Sequence, residues 1–234
     1  MSTLLISSLL AIFSLSVSAD WQPPLSADEQ VTATSLALDS IAARSIADTG
    51  NKSSTVTQTH SKTRSTSGLP QNLPQLQNEV LLVELKHAKK NRNQRIAEVF
   101  VFDYSRGVTE LHRVNVEDNQ VTEIIAIDST HLPLNKREQE VATALAVSND
   151  LVRQRLEAEY QRAFGRALTS LDELDMKVLI WQPQPHQRNS YEIAATCNSE
   201  RCALLSIFTE DNYSFSLEPV VNLMQGVVYP EALQ

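Results

Sequence analysis

Two cysteines, five histidines and a scatter of carboxylates are the residues with which this chain could do chemistry. Cys197 and Cys202 flank the polar turn Asn198-Ser199-Glu200-Arg201, between two apolar runs. That spacing predicts a hairpin with the two cysteines opposite each other, within the Cα separation a disulfide needs. An oxidising compartment would close the bond, and the small loop puts its entropic gain near the low end, about 2 kcal/mol. Unpaired thiols, or a redox or metal role, are the alternatives. A metal site would need further Cys or His at short spacing, and none accompanies this pair.

His60, His87, His112, His131 and His186 have no neighbouring His, Cys or carboxylate at a spacing that separates a metal site from background. The five glycines are too scattered to build a phosphate cradle, and no Gly-x-Ser-x-Gly elbow occurs. Glu157 and Glu159, and Asp172, Glu173 and Asp175, have the spacing of solvated faces, and a glycosidase-like acid/base pair would need burial. No catalytic, metal or cofactor residue is therefore expected, and no cofactor.

Two segments could instead meet a partner. Lys86, Lys89, Lys90, Arg92 and Arg95 concentrate positive charge in one turn of an acidic protein, whose formal net charge is −8. The turn could engage an acidic protein or an anionic polymer, or be a solvated hairpin tip whose charges prevent edge-to-edge association. Trp181 precedes Gln182-Pro183-Gln184-Pro185-His186. It could face a partner, or close a core while the prolines form the exit turn.

The elements that must position these residues follow from patterning. Residues 4–13 are apolar but too short to span a bilayer, and Val17-Ser18-Ala19 is a small-residue cleavage site. Residues 1–19 therefore read as a signal peptide, implying a periplasmic or secreted protein. No Lys or Arg precedes the apolar core, which leaves an uncleaved anchor or a misassigned start as the alternative. Net negative charge argues against nucleic acid and anionic lipid as partners, and no later stretch is apolar enough to cross a membrane.

A helix is expected over 27–47, capped by Ser26 and Glu29, with Val31, Leu38 and Ile41, and Leu36 and Ile46 nearby, on its apolar side. Gly50 is its expected stop. The polar stretch 51–77 lacks the apolar area to offset its ordering entropy and reads as a mobile loop. Runs at 79–85, 96–104, 109–116 and 121–127 predict an antiparallel meander. A second helix over 135–164, broken near Asn149-Asp150 and stopped at Gly165, presents Val141, Leu145, Val152, Leu156 and Tyr160. Strands are expected at 177–181, 191–197, 203–208, 214–217 and within 220–229.

This order is written twice. Aligning 24–37 with 133–146 repeats Pro-Leu, Glu-Gln, Ala-Thr and Leu-Ala, eight identities in fourteen pairs, and Val114-Asn115-Val116 is echoed by Val221-Asn222-Leu223. The fold class predicted is α+β, with two tandem units over 20–130 and 131–234, each one helix on about four antiparallel strands.

That unit is the architecture of cystatin-like domains. The run Arg95-Ile96-Ala97-Glu98-Val99-Phe100-Val101-Phe102-Asp103-Tyr104, then Glu110, Val114-Asn115-Val116 and Val121, resembles the non-catalytic N-terminal domains of copper amine oxidases. So does Pro133-Leu134 followed by Glu138 and a helix reaching Asn149-Asp150. The resemblance covers nearly all of the chain after residue 19 and stops before the family's catalytic domain. That domain makes its cofactor from the tyrosine of Thr-x-x-Asn-Tyr-Asp/Glu, and Thr209-Glu210-Asp211-Asn212-Tyr213-Ser214 departs at the last position. The family's His-x-His copper pair is also missing from this sequence. The duplication, the export signal and the lack of a convergent catalytic set point to an exported, non-enzymatic protein that binds another envelope or secreted protein. An accessory or remnant subunit of an amine oxidase system and a small envelope hydrolase with a site assembled from distant residues are the alternatives.

Overall fold

The computed structural model describes residues 22–50, 75–86, 94–182 and 191–230. Residues 1–21, with the signal peptide reading, lie outside them, as do Gly50's cap geometry and most of the polar stretch. The described residues form an α+β protein with two antiparallel four-stranded sheets. No helix among them is long and apolar enough to cross a membrane.

The first half opens with α1 (Ala27–Gly50). Ser26 Oγ accepts from Glu29 N at 3.2 Å, and Ser26 N donates to Glu29 Oε2 at 2.7 Å. This reciprocal pair satisfies two donors that a helix start leaves open. Pro24 prevents the helix from beginning earlier. Four strands follow, β1 (Asn78–Leu85), β2 (Ile96–Asp103), β3 (Val108–Asn115) and β4 (Gln120–Ile127), paired in sequence order. Gly107 at φ +67° and Asn119 at φ +53° take the left-handed conformation in the two turns that flank β3.

Helix α1 meets this sheet through Ile41, Leu36 and Leu38 as expected, but not through Val31, and two alanines carry much of the contact. Ala33, Ala37 and Ile41 are buried against Ala97, Val99, Val101 and Val114, whereas Val31 is 68% exposed. Leu36 and Leu38 pack at the margin, and the side chain of Ile46 lies outside the described residues. Small side chains spaced four apart let the helix axis approach the sheet closely, so packing selected alanine over the larger valine. Each fully buried Val, Ile or Leu contributes roughly 1.5–3 kcal/mol of apolar burial, so this layer carries much of the first half's stability.

The second half repeats the plan with additions. Asn135 caps α2 (Lys136–Ser148), its side chain accepting from Glu138 N while Glu138 returns a bond to Asn135 N at 2.8 Å. The expected break is a change of helix at Asn149. Its N–H closes α2 on Ala146 O, while its Oδ1 accepts from Leu151 N and Val152 N to start α3 (Asp150–Phe164). Gly165 ends α3 at φ +68°. A 3-10 turn (Leu171–Glu173) leads into β5 (Leu174–Ile180), followed by α4 (Tyr191–Cys197), β6 (Cys202–Thr209), β7 (Val220–Asn222) and β8 (Val227–Tyr229). Strands β5 to β8 again pair in sequence order.

Two strand expectations in this half are corrected, at 191–197 and 214–217, while 220–229 supplies strands as expected. Residues 191–197 are helical, because Ile193, Ala194 and Cys197 lie on one helical face that packs against Trp181, Cys202, Val220 and Tyr229. Residues 214–217 form no strand beyond the single bridge Phe208 to Ser214; Phe215 and Leu217 are used as plugs against Val152, Leu156 and Tyr160 of α3. The run 220–229 is a tight hairpin, turned at Gly226 with φ +68°.

Candidate functional site

The residues with the most consequential geometry are two arginine–glutamate clamps at matching places in the two halves. In the first, Arg95 precedes β2 and Glu29 lies in the first turn of α1. Arg95 Nε donates to Glu29 Oε1 and Nη2 to Oε2 at 2.9 Å; Nη1 and Nη2 also reach Pro23 O at 3.0 Å and Pro24 O at 2.8 Å. In the second, Arg201 precedes β6 and Glu138 lies in the first turn of α2. Arg201 Nε donates to Glu138 Oε1 at 2.5 Å and Nη2 to Oε2 at 2.9 Å; Nη1 and Nη2 reach Leu132 O at 2.9 Å and Pro133 O at 2.8 Å. Each planar guanidinium thus ties the chain entering a helix to the chain entering the second strand of its sheet.

The correspondence continues beyond the clamps. Gln30 Nε2 donates to Leu25 O, as Gln139 Nε2 does to Leu134 O. Val116 N donates to Arg95 O, as Leu223 N does to Arg201 O. Asn115 Oδ1 accepts from Glu117 N and Asp118 N, as Asn222 Oδ1 accepts from Met224 N and Gln225 N. Ala97 pairs with Leu85 and Val114, and Ala203 pairs with Ile180 and Val221.

What differs is the surroundings of the clamps. Glu29 and Arg95 keep 27% and 17% of their side chains exposed, while Glu138 and Arg201 keep none. The second clamp is covered by the end of β2 from the first half. Tyr104 Oη donates to Glu138 Oε1 at 2.6 Å, and the Arg201 guanidinium lies 5.5 Å over the Phe102 ring. Burial, and then the adjacent Glu138 charge, push the Tyr104 phenol well above its usual value, so it stays a donor. The halves are further tied by Asn135 Nδ2, 3.1 Å from both Glu79 Oε2 and Val80 O, and by Arg137, 3.4 Å from Glu79 Oε1. A cleft of about 410 Å³ opens at this junction, with Leu76, Tyr104, Val141, Leu223 and Met224 in its wall.

A second cluster lies between α1 and the first sheet. Arg44 holds Glu110 with two bonds at 3.2 and 2.5 Å, and Arg106 adds one at 2.6 Å while also holding Asp103. Burial would raise Glu110, but the bonds from Arg44 and Arg106 outweigh it and hold its carboxyl at about 2. His112, fully buried, sits with Nε2 3.1 Å from Glu110 Oε2 and Nδ1 3.1 Å from Ser40 Oγ. Burial lowers His112, against the pull of Glu110, so the ring is neutral. With Glu110 ionised, the ring proton belongs on Nε2, leaving Nδ1 an acceptor toward Ser40.

Ser40, His112 and Glu110 are the residue types of an acyl-transfer triad. Their geometry is that of a structural pin. The single Ser40 hydroxyl proton has two acceptors in reach, His112 Nδ1 and Ala37 O, the latter at 2.7 Å within α1. Mid-helix N–H groups are spent on carbonyls four residues back, so α1 itself offers this hydroxyl no pair of backbone donors to receive an oxyanion.

The structure locates the expected partner residues as follows. Lys86 closes the ladder through its backbone N–H to Ile96 O at 2.9 Å, with Nζ 4.0 Å from Glu98. Lys89, Lys90 and Arg92 lie outside the described residues, and Arg95 is committed to its clamp. Trp181 is 2% exposed and closes the cluster of Ile193, Cys197, Cys202 and Val220, so it faces the core. Cys197 and Cys202 are bonded, with Cα atoms 5.5 Å apart, but the bond joins the end of α4 to the start of β6 instead of crossing a hairpin. Tyr213 sits at the rim of an aromatic cluster with Phe164 and Phe215. No group of three or more His, Cys, Asp or Glu among the described residues could hold a metal.

The clamps escaped sequence reasoning, although half of their signal was present. The repeated Pro-Leu and Glu-Gln pairs marked Glu29 and Glu138; the arginine just before each apolar β run, Arg95 before Ile96 and Arg201 before Cys202, marked the rest. No protein-family model matches the chain, and no curated protein matches it.

Proposed function

We propose that this chain is an exported, non-enzymatic binding or scaffold protein built from two tandem cystatin-like units of the kind found at the N-terminus of copper amine oxidases. The observation that carries the reading is the recurrence of the arginine–glutamate clamp with the same carbonyl partners in both halves. Charged residues conserved in role between two copies of a unit serve the unit's architecture. Function is then carried by surfaces that differ between the copies. The bonded cysteine pair suits an oxidising compartment.

The test is binding set against turnover. The chain without residues 1–19 should capture a stoichiometric partner from envelope extract, and Ser40→Ala should capture it equally well. Turnover of ester or peptide substrates by the purified chain, abolished by Ser40→Ala, would overturn the proposal in favour of a hydrolase.

A further inference from the structure

We infer that the exposed clamp of the first half, Glu29 with Arg95, is a docking site for a protein partner that presents an aromatic strand end of the form Phe-x-Tyr. The inference rests on the tandem reading above and deepens it, since the chain itself displays the occupant of the equivalent face. On the second half, Phe102 lies over the Arg201 guanidinium and Tyr104 donates to Glu138. Val141 and Leu223 complete that face and are buried. Aligning the repeats matches Glu29, Thr32, Arg95 and Val116 with Glu138, Val141, Arg201 and Leu223, and the bonds of Arg95 to Glu29 and of Val116 N to Arg95 O recur in the second half. Among the described residues, Glu29 receives bonds from Ser26 and Arg95, and no phenol stands over it. The site therefore offers a carboxylate held at about 2 by its Arg95 hydrogen bonds, as an ionised acceptor. It also offers a flat cation for a ring to cover.

The occupant is a different protein and not a second copy joined head to tail. The end of β6, which matches the end of β2, reads Phe208-Thr209-Glu210 where the first half reads Phe102-Asp103-Tyr104. Phe208 is half-buried with Lys177 over its ring, and Glu210 is exposed. A glutamate in the tyrosine place would set two carboxylates against each other over Arg95, and like charges in one site repel. The chain's own far end thus lacks the group its open face would accept.

Converting Glu210 into that group tests the site in the full chain. The Glu210→Tyr chain should self-associate, its mass by light scattering rising with concentration above that of the unaltered chain. Adding Thr32→Lys should return the mass to that of the unaltered chain with the thermal midpoint unchanged, since position 32 lies on the contact face. Glu210→Phe keeps the ring but not the hydroxyl, and should associate about tenfold more weakly, the scale of one hydrogen bond to a charged acceptor. The inference fails if the folded Glu210→Tyr chain keeps the unaltered mass at all concentrations, or if Thr32→Lys leaves its association intact. It fails equally if the unaltered chain already associates through a contact that Thr32→Lys breaks, because the occupant is then a second copy. None of these outcomes depends on partner capture or substrate turnover, so the tandem binding reading stands or falls separately.

Discussion

Arg201 and Glu138 form an ion pair with no exposed side-chain surface, and the pair lies where the two halves of the molecule meet. A buried charge pair of this kind is weak evidence of net stabilisation, because desolvation offsets most of the attraction. Its specificity is the stronger effect. Glu138 accepts from Asn135 N, Tyr104 Oη and Arg201, and Arg201 also donates to Thr130 O, Leu132 O and Pro133 O. Only one relative placement of β2, α2 and β6 satisfies all of these groups.

Breaking the pair from one side should therefore be costly. Arg201→Met leaves a buried carboxylate without its cation and should destabilise the protein by about 3–5 kcal/mol. The equivalent Arg95→Met leaves Glu29 partly in water and should cost only about 1 kcal/mol. Urea unfolding of both variants measures the difference, and equal losses would contradict the contrast drawn between the covered and open clamps.

Gly107 and Met224 test the contact between the halves in another way. A Cβ on Gly107 would come within 2.7 Å of Met224 Cε, and the residue also holds φ +67°. Gly107→Ala should cost about 1–2 kcal/mol, part from the left-handed backbone and part from the clash. Met224→Ala in the same chain should recover the steric part alone. A double-mutant cycle then gives a nonzero coupling, on the order of 0.5–1 kcal/mol, if the two turns touch in solution.

Stability should fall on acidification in two stages. His112 has a folded value below its ordinary one, so the unfolded chain takes the proton first and stability is lost as the pH drops below about 6.5. Glu29 and Glu110, both held at about 2, contribute stability that is complete above their ordinary value of 4.5 and is lost as the pH falls from there towards 2. Glu110, Arg44, Arg106 and Ser40 are the groups that face His112. Denaturation midpoints across pH 7 to 2.5 should show both stages, and His112→Gln should flatten the upper one while leaving the lower. A midpoint constant down to pH 3 would contradict the carboxylate assignment.

The meander of the first half was legible because its runs alternate and its turns carry Gly107 and Asn119. The helix break at Asn149 was legible because asparagine caps well. Residues 191–197 were misread because Tyr-Glu-Ile-Ala-Ala-Thr-Cys is too short for periodicity to separate a strand from a helix, and packing under Trp181 decided it. On α1 the sheet-facing Ile41, Leu36 and Leu38 were legible, while Val31 was misplaced and Ala33 and Ala37 were missed because they score as weakly apolar. The clamps were half legible: a glutamate in a repeated helix start is visible in one dimension, but its arginine lies 66 residues away in one half and 63 in the other. The cluster of Ser40, Arg44, Glu110 and His112 showed in one dimension only as two separate pairs, four apart on α1 and two apart on β3, because the contact that joins them is between those elements.

Reducing the Cys197–Cys202 bond should release α4 locally and leave the two sheets intact. The bond closes a separation of only five residues, so its contribution should be about 2 kcal/mol. That is less than the stability expected of a whole domain, so the fold should survive. The helix it holds is short, however, and Ile193, Ala194 and Cys197 are its described contacts with the Trp181 cluster. Isolated helices of this length do not persist in water. Trp181 should therefore pass from a dry to a wetter environment, giving a red-shifted emission in a Trp21→Phe background on adding reductant, with far-ultraviolet circular dichroism nearly unchanged. Emission that stays blue in the reduced protein would mean that apolar packing alone holds α4 against Trp181, and that the disulfide adds only to global stability.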